Sequence, residues 1–177
     1  MAGERQMSTP PTIHEAMVVL LPRLVAFART LLGDPDHARD LVQEAVTRAL
    51  AAERVPADPA AYRAWMFRIV RNAAIDELRR RREQVSDSAI VPDIWGFDEA
   101  CIAKITVGQG LTALSAAHRE IIGLIDIAGF SYAEAAALLD LPPGTVMSRL
   151  ARARSLLLAA IEASTVRPMK ANKGRRS

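Results

Sequence analysis

From Ile13 to Leu32 the apolar side chains Met17, Leu20, Leu21, Leu24, Phe27, Ala28 and Leu31 recur every three or four residues, the spacing that lines one face of an α-helix. The same period returns at Ala38, Leu41, Val42, Ala45, Val46 and Ala49, and again at Tyr62, Met66, Ile69, Val70, Ala73 and Leu78. This repeated helical period limits the chain more than any other feature, because such stripes are buried only by packing helix on helix. The apolar half of the composition is mostly Ala and Leu, with Pro and Gly gathered at a few points, which favours helices over strands. The fold class is therefore all-α.

The breaks divide the helices into two blocks. Gly33 is a C-cap, and Asp34-Pro35-Asp36 stops one helix and starts the next. Pro56 and Pro59 interrupt the chain, after which residues 60–82 read as one long helix. Residues 83–97 lose the period and contain Pro92 and Gly96. A second block begins near Asp98 and passes the Gly108/Gly110 pair, which should loosen it locally. Ser115 caps a helix ending near Ala128-Gly129, and Ser131 with Glu134 forms a capping box opening a short helix to Leu139. Asp140-Leu141-Pro142 is a turn, and a last helix runs from Pro143 to Ile161. The expected organisation is a disordered N-terminus (1–11), a helical domain (12–83), a flexible linker (84–97), a second helical domain (98–163) and a basic disordered tail (164–177).

Cys101 is the single cysteine, so neither an internal disulfide nor a cysteine zinc site is available, and a reducing cytoplasm is the expected compartment. No apolar run approaches the roughly 18 residues of a membrane helix, and the N-terminus lacks the order of a signal peptide. His14, His37 and His118 are scattered, no glycine-rich phosphate loop occurs, and Asp34 with Asp36 reads as capping rather than metal ligation. Neither catalysis nor a metal, cofactor or small-molecule substrate is expected. Trp95 and Cys101 read as packing residues.

The net charge of +3 is sharply segregated. Residues 63–82 hold seven Arg against Asp76 and Glu77, residues 143–156 hold three Arg and no acid, and the tail from Arg167 holds five bases, so the rest of the chain is acidic. Basic segments on an acidic body suit a polyanion, and the acidic remainder suits a basic protein partner.

A short capped helix, a turn and a longer Arg-bearing helix form the outline of a helix-turn-helix, although a helical hairpin with a solvated basic face has the same outline. On the last helix Val146, Leu150, Ala153 and Leu157 share one face and Thr145, Ser148, Arg149 and Arg152 another. The second face fits a DNA groove, since hydroxyls reach phosphates or bases and Arg can donate twice to a guanine edge. Pro143 and Gly144 let the backbone approach a phosphate. In the 60–82 helix, Arg68, Arg71, Asn72 and Arg79 are interleaved with Trp65 and Phe67, a combination suited to stacking and edge bonding of an unpaired base. Alone, Arg79 to Arg82 could equally be a solvated helix end.

The stretches GDPDHARDLVQEAVTRAL, YRAWMFRIVRNAAIDELRRRRE and LTALSAAHREIIGLIDIAGFSYAEAAALLDLPPGTVMSRLARARSLL together resemble the extracytoplasmic-function (ECF) group of bacterial RNA polymerase sigma factors over most of residues 17–160. The resemblance implies an N-terminal helical bundle of the region 2 type and a C-terminal helix-turn-helix of the region 4 type. It implies that Asp40, Leu41, Gln43 and Glu44 dock on the largest subunit of RNA polymerase core. Arg68, Arg71 and Asn72 would take part in opening the minus-ten promoter element, with Arg79, Arg80 and Arg81 on the adjoining duplex or backbone. Gly144, Thr145, Ser148, Arg149 and Arg152 would engage the minus-thirty-five element; Met147 stands where such proteins often carry Lys, which weakens phosphate contact there. The implied partners are core polymerase, promoter DNA and, over the inter-domain surface, an anti-sigma factor. An alternative of another class is a sigma mimic that sequesters an anti-sigma factor without binding DNA; it would need neither Arg-rich face.

Overall fold

The computed structural model describes residues 13–84 and 99–165. The linker and both tails read from the sequence fall largely outside these residues, as do Trp95 and the side chain of Cys101. Among the described residues the elements are α1 (Ile13–Leu32), α2 (Pro35–Leu50), α3 (Pro59–Gln84), α4 (Glu99–Thr112), α5 (Ala116–Ile122), a π turn (Gly123–Ile127), α6 (Tyr132–Leu139) and α7 (Pro143–Thr165), with no strand.

The helix ends follow from local chemistry. Gly33 closes α1 at φ 79°, a conformation without penalty only for glycine. The Asp34 carboxylate accepts from the Asp36 and His37 backbone N–H groups at 2.9 and 3.0 Å, with Pro35 in the first turn of α2. These bonds, led by that from His37, hold the Asp34 carboxyl below its ordinary range. Asp58 accepts from Ala61 N–H at 2.7 Å at the start of α3. Ser131 and Glu134 close a reciprocal capping box at the start of α6. That helix ends on Asp140 at φ 54°, a left-handed position that Asp tolerates better than most residues.

Helices α1, α2 and α3 pack around Leu24, Phe27, Leu31, Val42, Met66, Phe67 and Val70, all 2% exposed or less. Each such side chain contributes about 1.5–3 kcal/mol of transfer free energy. The second unit is built on α7, which packs against α4, α5 and α6 and buries Val146, Leu150 and Ala153. The glycine pair does not interrupt α4. A Cβ at Gly110 would meet Leu157 Cδ1 at 3.0 Å and Ile161 Cγ1 at 3.2 Å, so this glycine serves the close approach of α4 and α7. The helix after Ser115 ends at Ala128-Gly129, as its sequence suggests, but from Gly123 to Ile127 it is wound as a π turn. There Ala128 N–H donates to Gly123 C=O at 2.9 Å, and Phe130 N–H donates to Leu124 C=O at 3.0 Å.

The two units share one apolar core. Phe67 lies between Phe27 of α1 (5.4 Å between ring centres) and Phe130 of the second unit (5.0 Å, edge to face). At Gly123 a Cβ would stand 2.7 Å from the Phe27 ring, so only glycine admits this approach of α1 to the π turn.

Candidate nucleic-acid and polymerase interfaces

The long helix α3 carries three differently employed faces. Arg63, Phe67 and Arg71, spaced by four, face the second unit. The Arg63 guanidinium sits 4.0 Å from the Phe130 ring centre, donates to Ala128 C=O at 2.8 Å and lies 3.7 Å from Glu134. Arg71 Nε donates to Glu120 Oε1 at 2.6 Å. On another face Arg68, Asn72, Ile75 and Arg79 are exposed, and neither Arg68 nor Arg79 has an ion pair among the described residues. Arg80 and Arg81 belong to the third face, where both pair with Glu77 at 3.1 and 2.8 Å. The Arg81 hydrogen bond, with the charges of both arginines, holds the Glu77 carboxyl below its usual range.

The six α3 residues singled out in the sequence are thus divided. Arg68, Asn72 and Arg79 share an open stripe. Arg71 is turned aside, with only a 3.4 Å link from Nη1 to the Asn72 side-chain oxygen. The expected aromatic partners for an unpaired base are not on that stripe. Phe67 is fully buried, and Trp65 is half-buried against Tyr62, because both are needed in the core.

Between α2 and α3 lies a groove of about 220 Å³ lined in part by Asp40, Leu41, Glu44, Asp76, Arg80 and Arg81. Asp40, Gln43 and Glu44 are exposed on α2, whereas Leu41 is 8% exposed and anchors the helix in the core. Glu44 is held by Arg48 at 2.6 Å. Arg80 and Arg81 therefore lie beside the acidic α2 residues.

In the second unit α6, the turn through Pro142 and α7 form the helix-turn-helix. Gly144, Met147, Ser148 and Arg152 are exposed, Thr145 and Arg149 are half-buried, and Val146 and Leu150 face the core. Pro142 C=O accepts from the Thr145 and Val146 N–H groups at 2.9 and 3.2 Å, which fixes the start of α7. Ser148 Oγ donates to Thr145 C=O at 3.1 Å, leaving its lone pairs outward. Arg154 belongs to a different face, where it makes a two-pronged bond to Asp126 of the π turn at 2.5 and 3.2 Å.

The same two units are recognised by comparison with known proteins. Residues 18–84 match the family model for sigma-70 region 2, and residues 106–157 match that for sigma-70 region 4. The ECF RNA polymerase sigma factor EcfG of Rhodopseudomonas palustris is 34% identical over 164 residues, spanning 86% of this chain and 87% of its own. The chain belongs to the ECF sigma factors. SigL of Mycobacterium tuberculosis is 37% identical over 131 residues, 70% of this chain and 74% of that relative. Two solved structures are similar. The sigma factor RpoE of Bartonella quintana, in complex with the anti-sigma factor NepR, has a TM-score of 0.64 at 31% identity, covering 84% of this chain and 96% of its own. CnrH, in complex with the cytosolic domain of CnrY, has a TM-score of 0.58 at 28% identity, covering 86% and 90%. Sigma factors bind RNA polymerase core and promoter DNA and direct transcription initiation, and this chain has both regions that do so. No helix among the described residues is long and apolar enough to cross a membrane.

Sequence reasoning missed the residues that join the two units, Arg63, Glu120, Gly123 and Phe130. One signal was present, since Glu120 directly precedes Ile121 and Ile122, and an acid in an apolar run calls for a buried partner.

Proposed function

We propose that this sigma factor divides its work among three surfaces. The exposed α2 residues Asp40, Gln43 and Glu44, above the Leu41 anchor, dock on core polymerase, with Arg80 and Arg81 at the edge of the same groove. The stripe Arg68, Asn72 and Arg79, joined by Arg71 when it is released, engages the minus-ten element. Thr145, Ser148, Arg149 and Arg152, with the Gly144 backbone, read the minus-thirty-five element in the major groove. The chain itself makes and breaks no covalent bond. It captures an unstacked base, which offsets an unpairing cost of a few kcal/mol. It acts in the cytoplasm, where polymerase and chromosome meet.

The supporting observation is the pair of cationic stripes, one on each unit, whose arginines at 68, 79, 149 and 152 have no ion pair among the described residues. A protein that only sequestered an anti-sigma factor would have no use for either stripe. The likeness to a sigma factor solved with the anti-sigma factor NepR favours an anti-sigma partner for this chain too. The deciding experiment is run-off transcription with purified core polymerase from a promoter recovered by binding of the holoenzyme. Initiation should require the chain and fall with Asn72→Ala and with Arg152→Ala. Association with core without promoter-specific RNA would defeat the proposal.

A further inference from the structure

We infer that Met147 recognises a thymine of the minus-thirty-five element through its C5-methyl group, a role that rests on the reading of α7 as the helix entering the major groove. Met147 is 53% exposed, whereas its neighbour Val146 is fully buried, so the core makes no use of this apolar side chain. Isolated apolar residues are common on protein surfaces. This one, however, stands between Thr145 and Ser148 in the first turns of α7, the part of a recognition helix that meets base edges. Its thioether donates no hydrogen bond and accepts one only weakly. Base pairs display donors and acceptors in the major groove, and the thymine methyl is the one apolar group among them.

The surroundings of Met147 favour an apolar contact over a phosphate contact. Helical residues three and four apart are neighbours, which places Gly144 and Ala151 on either side of Met147 and Arg154 beyond Ala151 on the same edge. Gly144 and Ala151 are both exposed and small, so no long side chain covers the thioether. A helical side chain leans toward the N-terminal turn. On that side an added Cβ at Gly144 would meet nothing within 4 Å, which leaves room for a methyl group against Met147. The cation on this edge is already engaged, because Arg154 makes its two-pronged bond to Asp126 at 2.5 and 3.2 Å. Arg149 follows Met147 by two residues, about 200° round the helix, and forms the opposite edge with Thr145. Neither Arg149 nor Arg152 has an ion pair among the described residues. The outward face of α7 thus has a cationic edge suited to phosphate and guanine, and an edge of neutralised charge suited to thymine.

The test uses holoenzyme and the promoter it selects. Each thymine of the minus-thirty-five element, on both strands, is replaced in turn by deoxyuridine, which lacks only the methyl group. Affinity for each duplex is measured by fluorescence anisotropy with wild type, Met147→Leu, Met147→Ala and Arg152→Ala. At one thymine, loss of the methyl should weaken wild type about fourfold, the contribution of one buried methyl group, ~0.8 kcal/mol. Met147→Leu, which keeps an apolar side chain, should show the same loss. Met147→Ala should bind the natural duplex more weakly and be indifferent to the methyl, the non-additivity that marks a direct contact. A selected element without thymine, a methyl that matters to no protein, or one that matters equally to wild type and Met147→Ala overturns the role of Met147. Arg152→Ala separates that failure from a wider one. If it weakens binding while the methyl effect is absent, only the role of Met147 falls; if it too changes nothing, α7 is not the reading helix and both fall.

Discussion

Truncating Phe67 to alanine tests whether the two units stand on one core. The ring has no exposed surface and contacts Phe27 at 5.4 Å and Phe130 at 5.0 Å between ring centres, so truncation removes its own burial and an aromatic pair on each side. Buried Phe→Ala substitutions cost about 3–5 kcal/mol. Aromatic pairs are worth about 0.5–1.5 kcal/mol each beyond burial, which places this site at the upper end, near 5 kcal/mol. Small domains have only about 5–15 kcal/mol to lose, so the variant should sit close to its unfolding transition. Phe67→Leu, which keeps most of the volume, should lose about 1.5 kcal/mol or less and remain folded. Urea denaturation followed by far-UV ellipticity measures both. The helices of the two units should melt in a single shifted transition. A loss below about 1 kcal/mol for the alanine variant, or a shift confined to part of the helical signal, would refute the shared core.

Other outcomes follow from single sites. The Glu134 carboxyl lies below its ordinary value of 4.5 because its charged form is held first by the Ser131 N–H, then by the Ser131 side chain, and last by the nearby Arg63 charge. Its contribution is therefore fully present above pH 4.5 and is lost as pH falls through the lower folded value, so thermal stability of wild type should drop in that acidic window more steeply than that of Glu134→Gln. Ser131→Ala should cost about 1 kcal/mol at neutral pH, measured by urea denaturation. Gly33→Ala forces a left-handed conformation on a residue with Cβ and brings that atom to 3.2 Å from Thr112 Cγ2. It should cost at least about 1–2 kcal/mol by the same assay. Arg149→Ala should weaken holoenzyme binding by about 1–3 kcal/mol at one promoter position if it reads a base, and evenly across sequences if it meets only phosphate. A panel of single-base promoter variants separates the two.

What was legible in the sequence was what local chemistry decides. Gly33, Asp34, Ser131 and Glu134 act on backbone groups within a few residues, so their caps could be read directly. The apolar periods likewise placed α1, α2 and α3. Interactions between distant segments were not legible in the same way. Gly110 looked like a weak point because nothing nearby in the sequence reveals that Leu157 packs against it. Phe67 and Arg71 looked like surface residues because the second unit, roughly fifty residues further on, is what covers them. Arg154 read as part of a basic patch until Asp126 was found to hold it.

The π turn has a consequence for what chain lengths the molecule can accept. Helical stretches ordinarily advance about 100° per residue, and a turn closed over five residues stores one surplus position in the winding. Losing a single residue between Gly123 and Ile127 would take up that surplus and restore ordinary winding, leaving the phase downstream, and with it the approach of the Phe130 ring to Phe67, nearly unchanged. Connections next to a recognition element usually tolerate insertion and deletion. Here a helix offers the same tolerance, because Gly123–Ile127 holds one residue more than ordinary winding needs and can give it up without moving its neighbours.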